Sequence, residues 1–141
     1  MIKIEINQRV GRKLDKKWIS KIVELVFKSV KVKNAEISLA FVGDAEIKKL
    51  NNFYRGKNKT TDVLSFIYES KVGGGVEGEI IISYPQAVRQ AKEQKHTALE
   101  EIKMLLIHGV LHLAGYDHEK SLRESRRMEN LQNKMVKLLD G

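Results

Sequence analysis

Three of the four histidines fall within eleven residues, His108-Gly-Val-Leu-His112-Leu-Ala-Gly115-Tyr-Asp-His118. On a helix, residues four apart stand one turn above each other, so His108 and His112 can aim their imidazoles at one point. Two such nitrogens can share an ion at roughly 2.0–2.1 Å from each. Gly115 permits a backbone conformation closed to other residues, and a reversal there can return His118 to the same point as a third nitrogen. Three neutral nitrogens with one open position is the catalytic zinc pattern, since structural zinc is usually closed by four protein ligands. From Met104 to Ala114 the chain is otherwise apolar almost all round, so this helix is buried. A buried polar group without a partner costs roughly 1–3 kcal/mol there. A lone histidine in such a helix is read as a satisfied core residue. Three at this spacing point to one Zn2+ per chain, held by His108, His112 and His118. The fourth, His96, falls at a helix junction and is read as surface.

The elements that must position this cluster follow from periodicity. Ile2, Ile4 and Ile6 alternate with charged residues as in a half-buried strand, and Ile37, Leu39 and Phe41 repeat the pattern. Between them Asp15 caps a helix whose apolar face is Ile19, Ile22, Val23, Val26 and Val30. Gly43 breaks the second strand, and Asp44 caps a short helix carrying Ile47 and Leu50. The polar run Asn51 to Thr61 reads as a loop, Asp62 to Tyr68 as a third strand, and the glycines at 73, 74, 75 and 78 as a loose connector. Glu79 to Ser83 is a short interior strand. Pro85 opens the next helix. Thr97 and Glu100 form a capping box ahead of the histidine helix. Ser121 and Glu124 form another ahead of a last helix lined by Met128, Leu131, Met135 and Leu138. The expected fold is α+β, a small mixed four-stranded sheet packed with about five helices, in a single domain spanning 1–141.

Composition narrows the chemistry. There is no cysteine, so disulfides and thiolate ligands are excluded. No apolar run approaches the roughly 18–20 residues of a membrane span, and the first residues carry charges inside their apolar run, unlike a secretory signal. The chain is read as cytoplasmic, with no membrane partner. Lys and Arg number 26 against 18 acids, a net charge of +8 that favours polyanionic partners. Arg55, with Lys57 and Lys59, offers a guanidinium fork suited to phosphate oxygens. Arg123, Arg126 and Arg127, like Arg12, Lys13, Lys16 and Lys17, either touch a polyanionic backbone or form solvated faces. Aromatic residues are only 6 % of the chain, so no extended base-stacking platform is expected.

The histidine spacing is similar to that of the metzincin metalloproteases, with one departure: the general-base glutamate that follows their first histidine is replaced by Gly109. Gly109 shares the helix face of Ile102, Leu105, Leu106 and Leu113. A carboxylate placed at 109 is expected to lie near an anionic substrate and repel it.

A second resemblance covers nearly the whole chain. The block Asn51-Asn-Phe-Tyr-Arg55-Gly-Lys-Asn-Lys-Thr-Thr-Asp62-Val-Leu-Ser-Phe66, followed by the histidine motif, resembles the YbeY family of bacterial endoribonucleases. Two departures stand out: Lys59-Thr60-Thr61 where that family usually has Lys-Pro-Thr, and Gly78-Glu79 where it usually has Gly-Asp. The resemblance implies a metal-dependent, single-strand-specific ribonuclease that matures the 3′ end of 16S ribosomal RNA and serves ribosome quality control. It implies zinc on His108, His112 and His118, a functional arginine at Arg55, and the small ribosomal subunit as partner. Two other readings stand beside it: another zinc hydrolase, an amidase or peptidase, and a non-catalytic ribosome assembly factor whose metal is structural. Asp117, beside His118, is placed either to accept from a ligand imidazole or to bond its own backbone in the turn.

Overall fold

Strand alternation places Ile2, Ile4 and Ile6 on one face of β1 (Ile2–Gln8). The computed structural model describes residues 1–68, 75–116 and 121–140. The elements that follow are α1 (Lys16–Ser29), β2 (Ala35–Val42), α2 (Asp44–Arg55), β3 (Val63–Tyr68), β4 (Val76–Ser83), α3 (Tyr84–Gln94), α4 (Ala98–Leu113) and α5 (Leu122–Asp140). Glycines 73 and 74, Asp117 and His118 lie outside the described residues. The sheet order is β1-β2-β4-β3, with β1–β2 and β2–β4 parallel and β3–β4 antiparallel. This is the expected α+β fold, a mixed four-stranded sheet with five helices.

One sheet face presents Ile37, Leu39, Phe41, Ile80 and Ile82 to α1, α4 and α5. The other presents Leu64 and Ile81 to Ile47 of α2. Because α4 packs against α1, α3, α5, β3 and β4, its apolar sequence has a partner on nearly every side. Asp15 caps α1 through Lys17 N, and both halves of the Thr97–Glu100 capping box are formed.

Several boundaries differ from expectation, each for a local reason. Asn51 to Arg55 is the last part of α2, not a loop. Only Ile47 and Asn51 of this helix are buried, so its final turn shows no apolar periodicity. The helix stops at Gly56, which is left-handed with φ 68°. Asp44 is the first residue of α2 instead of its cap, and its carboxylate binds Ser83 and Arg89. Pro85 is the second residue of α3, because Ser83 supplies the cap to Gln86 N. Strand β4 begins at Val76 and contains Gly78, so that glycine belongs to the sheet and not to a connector. A Cβ there would stand 2.6 Å from Leu113 Cδ2 and 2.7 Å from Phe66 O, so close packing demands glycine. On α5, Met128 and Met135 are buried, but Leu138 is exposed.

Candidate active site

His108 and His112 are the polar breaks in a buried helix, and both are only partly covered. Each opens onto a cavity of about 430 Å³, into which α2 sends Arg55, the approach to β3 sends Asp62, α4 adds Glu101, and α5 adds Gln132. The histidine pair and Arg55 are therefore brought together, although 53 residues separate Arg55 from His108 in the chain.

His108 Nδ1 lies 3.2 Å from Gln132 Oε1. An amide oxygen can only accept, so Nδ1 is the donor in this contact, as in the Nδ1–H tautomer. That tautomer suits a metal ligand, and an acceptor on the second ring nitrogen is the usual companion of ligating histidines. The donor set, imidazole nitrogens without thiolate, fits zinc or a similar divalent metal. Among the described residues no three His, Asp or Glu side chains are grouped closely enough to hold an ion by themselves. Of the three expected ligands, His108 and His112 are described; His118 lies outside the described residues, beyond Gly115, which leaves α4 at φ 105°.

A chain of hydrogen bonds ties the cavity-lining acids together. Glu101 is 6 % exposed. Its Oε1 is 2.6 Å from His96 Nε2, and its Oε2 accepts from Gln90 Nε2 at 2.9 Å. Gln90 also reaches Asp62 Oδ2 at 3.3 Å, and Asp62 Oδ1 accepts from Val63 N at 2.8 Å. A buried carboxylate is tolerable only with such partners. His96 is thus not a surface residue: with 20 % of its side chain exposed, it is the counterpart of Glu101. Sequence reasoning missed Glu101, Gln90, Asp62 and Gln132. Glu101 looks like any acid in a first helical turn, and a neutral glutamine carries no spacing signal.

Arg55 is exposed at the C-terminal end of α2. Asn51, buried four residues earlier, donates from Nδ2 to Lys59 O at 3.0 Å and so ties the basic segment after Arg55 back to the helix. Gly109 is not among the residues lining the cavity. A Cβ there would lie 3.0 Å from Ile80 Cγ2, so the position follows the sheet-facing side of α4. A glutamate at 109 would have to displace the Ile80 side chain before it could act. This chain carries no carboxylate at the position of the protease base.

A histidine pair facing an arginine across one cavity defines a candidate hydrolase pocket for an anionic substrate. The family described as Endoribonuclease YbeY matches residues 1–140. An Endoribonuclease YbeY of Persephonella marina is 42 % identical over 139 residues, covering 96 % of this chain and 91 % of its own. One of Aquifex aeolicus is 42 % identical over 129 residues, covering 91 % of this chain and 86 % of its own. The solution structure of a Thermotoga maritima protein superposes with a TM-score of 0.65 at 32 % identity, covering 99 % of this chain and 89 % of that one. The chain belongs to the Endoribonuclease YbeY family.

Proposed function

We propose that this chain, an endoribonuclease of the YbeY family, cuts single-stranded RNA at the cavity between α4 and Arg55, using one zinc ion held by His108, His112 and His118. We further assign it to 3′-end maturation of 16S ribosomal RNA and to ribosome quality control, working on the small ribosomal subunit in the cytoplasm. The observation that carries the reading is geometric: His108 and His112 open onto the cavity that Arg55 enters, and Gln132 holds the His108 ring through Nδ1. No helix among the described residues is long and apolar enough to cross a membrane.

Zinc held there would supply Lewis acidity toward the phosphodiester and its nucleophile. Arg55 would bind the non-bridging oxygens and stabilise the charge that grows on them as the P–O bond breaks. Gln132 orients His108, while the His96–Glu101–Gln90–Asp62 chain holds the cavity's acids in place.

The test combines metal content and cleavage. Purified protein should carry one zinc, lose it on His108→Ala, His112→Ala or His118→Ala, and cut single-stranded RNA while sparing duplex RNA and casein. Full zinc retention in His118→Ala would remove that residue from the site. Casein cleavage without RNA cleavage would overturn the nuclease reading.

A further inference from the structure

Aromatic residues are scarce in this chain, yet the fold gathers three of them at one spot. The Phe53 and Tyr54 rings meet edge to face with centroids 4.8 Å apart, and Tyr54 lies 4.8 Å from Phe66 of β3 at 50°. Phe53 is 78 % exposed and Tyr54 58 %. Neither ring is needed to seat α2, which buries Ile47 and Asn51. Both immediately precede Arg55, which lines the cavity shared with His108 and His112.

Cations outnumber acids around this cluster; the acid beside it, Glu79, is paired with Phe66 across the sheet and accepts from the Tyr68 hydroxyl. Lys48 and Lys49 precede it and Lys57 and Lys59 follow it, all exposed. The acids of α2, Asp44 and Glu46, lie at the far end of the helix and are bonded to Arg89 and Arg9. Exposed rings flanked along α2 and the segment after it by four lysines and Arg55 suit a flat aromatic ligand on an anionic chain.

We propose that Phe53 and Tyr54, with Phe66 supporting Tyr54, form a stacking subsite for one unpaired base of the RNA, while Arg55 and the neighbouring lysines hold the adjoining phosphates. This rests on the RNA reading above and adds the origin of strand selection to it. A base within a duplex has both faces covered by its neighbours and cannot lie on these rings. Only an unpaired base can, so the preference for single strands is set beside the cavity and not within it.

The test uses a 2′-O-methyl single-stranded oligonucleotide, checked by gel to stay intact, with one abasic nucleotide moved stepwise along it and binding read by fluorescence anisotropy. One position should weaken binding about tenfold, by the usual effect of losing a base–aromatic stack. Phe53→Ala should weaken the intact oligonucleotide similarly and make binding insensitive to that abasic position. Phe53→Trp should restore both. A 2-aminopurine at that position should be quenched by the wild type and not by Phe53→Ala. Because Phe53 is largely exposed, an unchanged melting temperature will confirm that the variant folds. If the wild type binds and cuts RNA but the abasic scan is flat, the stacking subsite falls and the nuclease reading stands. If the wild type neither binds nor cuts single-stranded RNA, both fall.

Discussion

Arg55 and Gln132 act on the site in different ways, and their variants should separate. The guanidinium is exposed at a helix end and supports no core, so Arg55→Ala should leave melting temperature and zinc content unchanged. RNA cleavage should fall about 10²-fold or more, by analogy with loss of a single donor to a developing oxyanion. Unchanged cleavage in zinc-loaded Arg55→Ala would reduce the residue to a solvated one. Gln132 lines the cavity and touches His108 Nδ1. Its replacement by Leu should free the ring to turn and lower zinc affinity roughly 10–100-fold. Titration with a competing chelator measures this directly. Excess zinc should recover much of the activity of Gln132→Leu and none of the activity lost in Arg55→Ala.

At the scale of elements, α2 and α3 are joined through Asp44. The Arg89 guanidinium holds the Asp44 carboxyl below its ordinary value of 3.8, and the Ser83 hydroxyl adds to this against the opposing effect of burial. A carboxylate depressed in the folded state stabilises above its unfolded pKa, and this is lost as pH falls through the folded value. Wild type should therefore melt above Asp44→Asn at pH 6, by only about 1–2 °C because the pair is exposed. The gap should close as pH drops below about 4; a gap constant down to pH 2 would show that the carboxylate charge is not what joins the helices. Much at this scale was legible in the sequence: the β1 and β2 alternation, the Asp15 cap, the Thr97 box and the histidine helix all formed as read. What was not legible depends on contacts distant in the chain. The end of α2 hid its helicity because its last turn faces solvent. Gly78 read as a turn, but it is in fact required by Leu113 packing. His96 read as surface because nothing in its neighbourhood announces Glu101. At the site, the histidine pair was visible from residue type and spacing and Arg55 through the family resemblance, whereas Gln132 and the Gln90 link between two acids exist only once α3, α4 and α5 are docked.

For the molecule as a whole, the position of α4 determines which parts of the cavity can yield. Leu106, Ile107, Val110 and Leu111 have no exposed surface, and Gly109 lies against Ile80. Nothing in that wall can shift without opening the core. The wall that carries Arg55 is different: Gly56 to Thr60 is exposed, tied back by the bond from Asn51 to Lys59 O. Amide hydrogen exchange should record the contrast, since segments with few buried contacts open far more readily than core helices. The amides of Leu106 to Leu111 should exchange only through global unfolding, and those of Asn58 to Thr60 orders of magnitude faster. Equal rates in the two segments would refute it. RNA backbones of varied curvature would then be met by one stationary wall and one that follows them. The segment after Arg55 would follow the phosphates while His108 and His112, seated on α4, stay still.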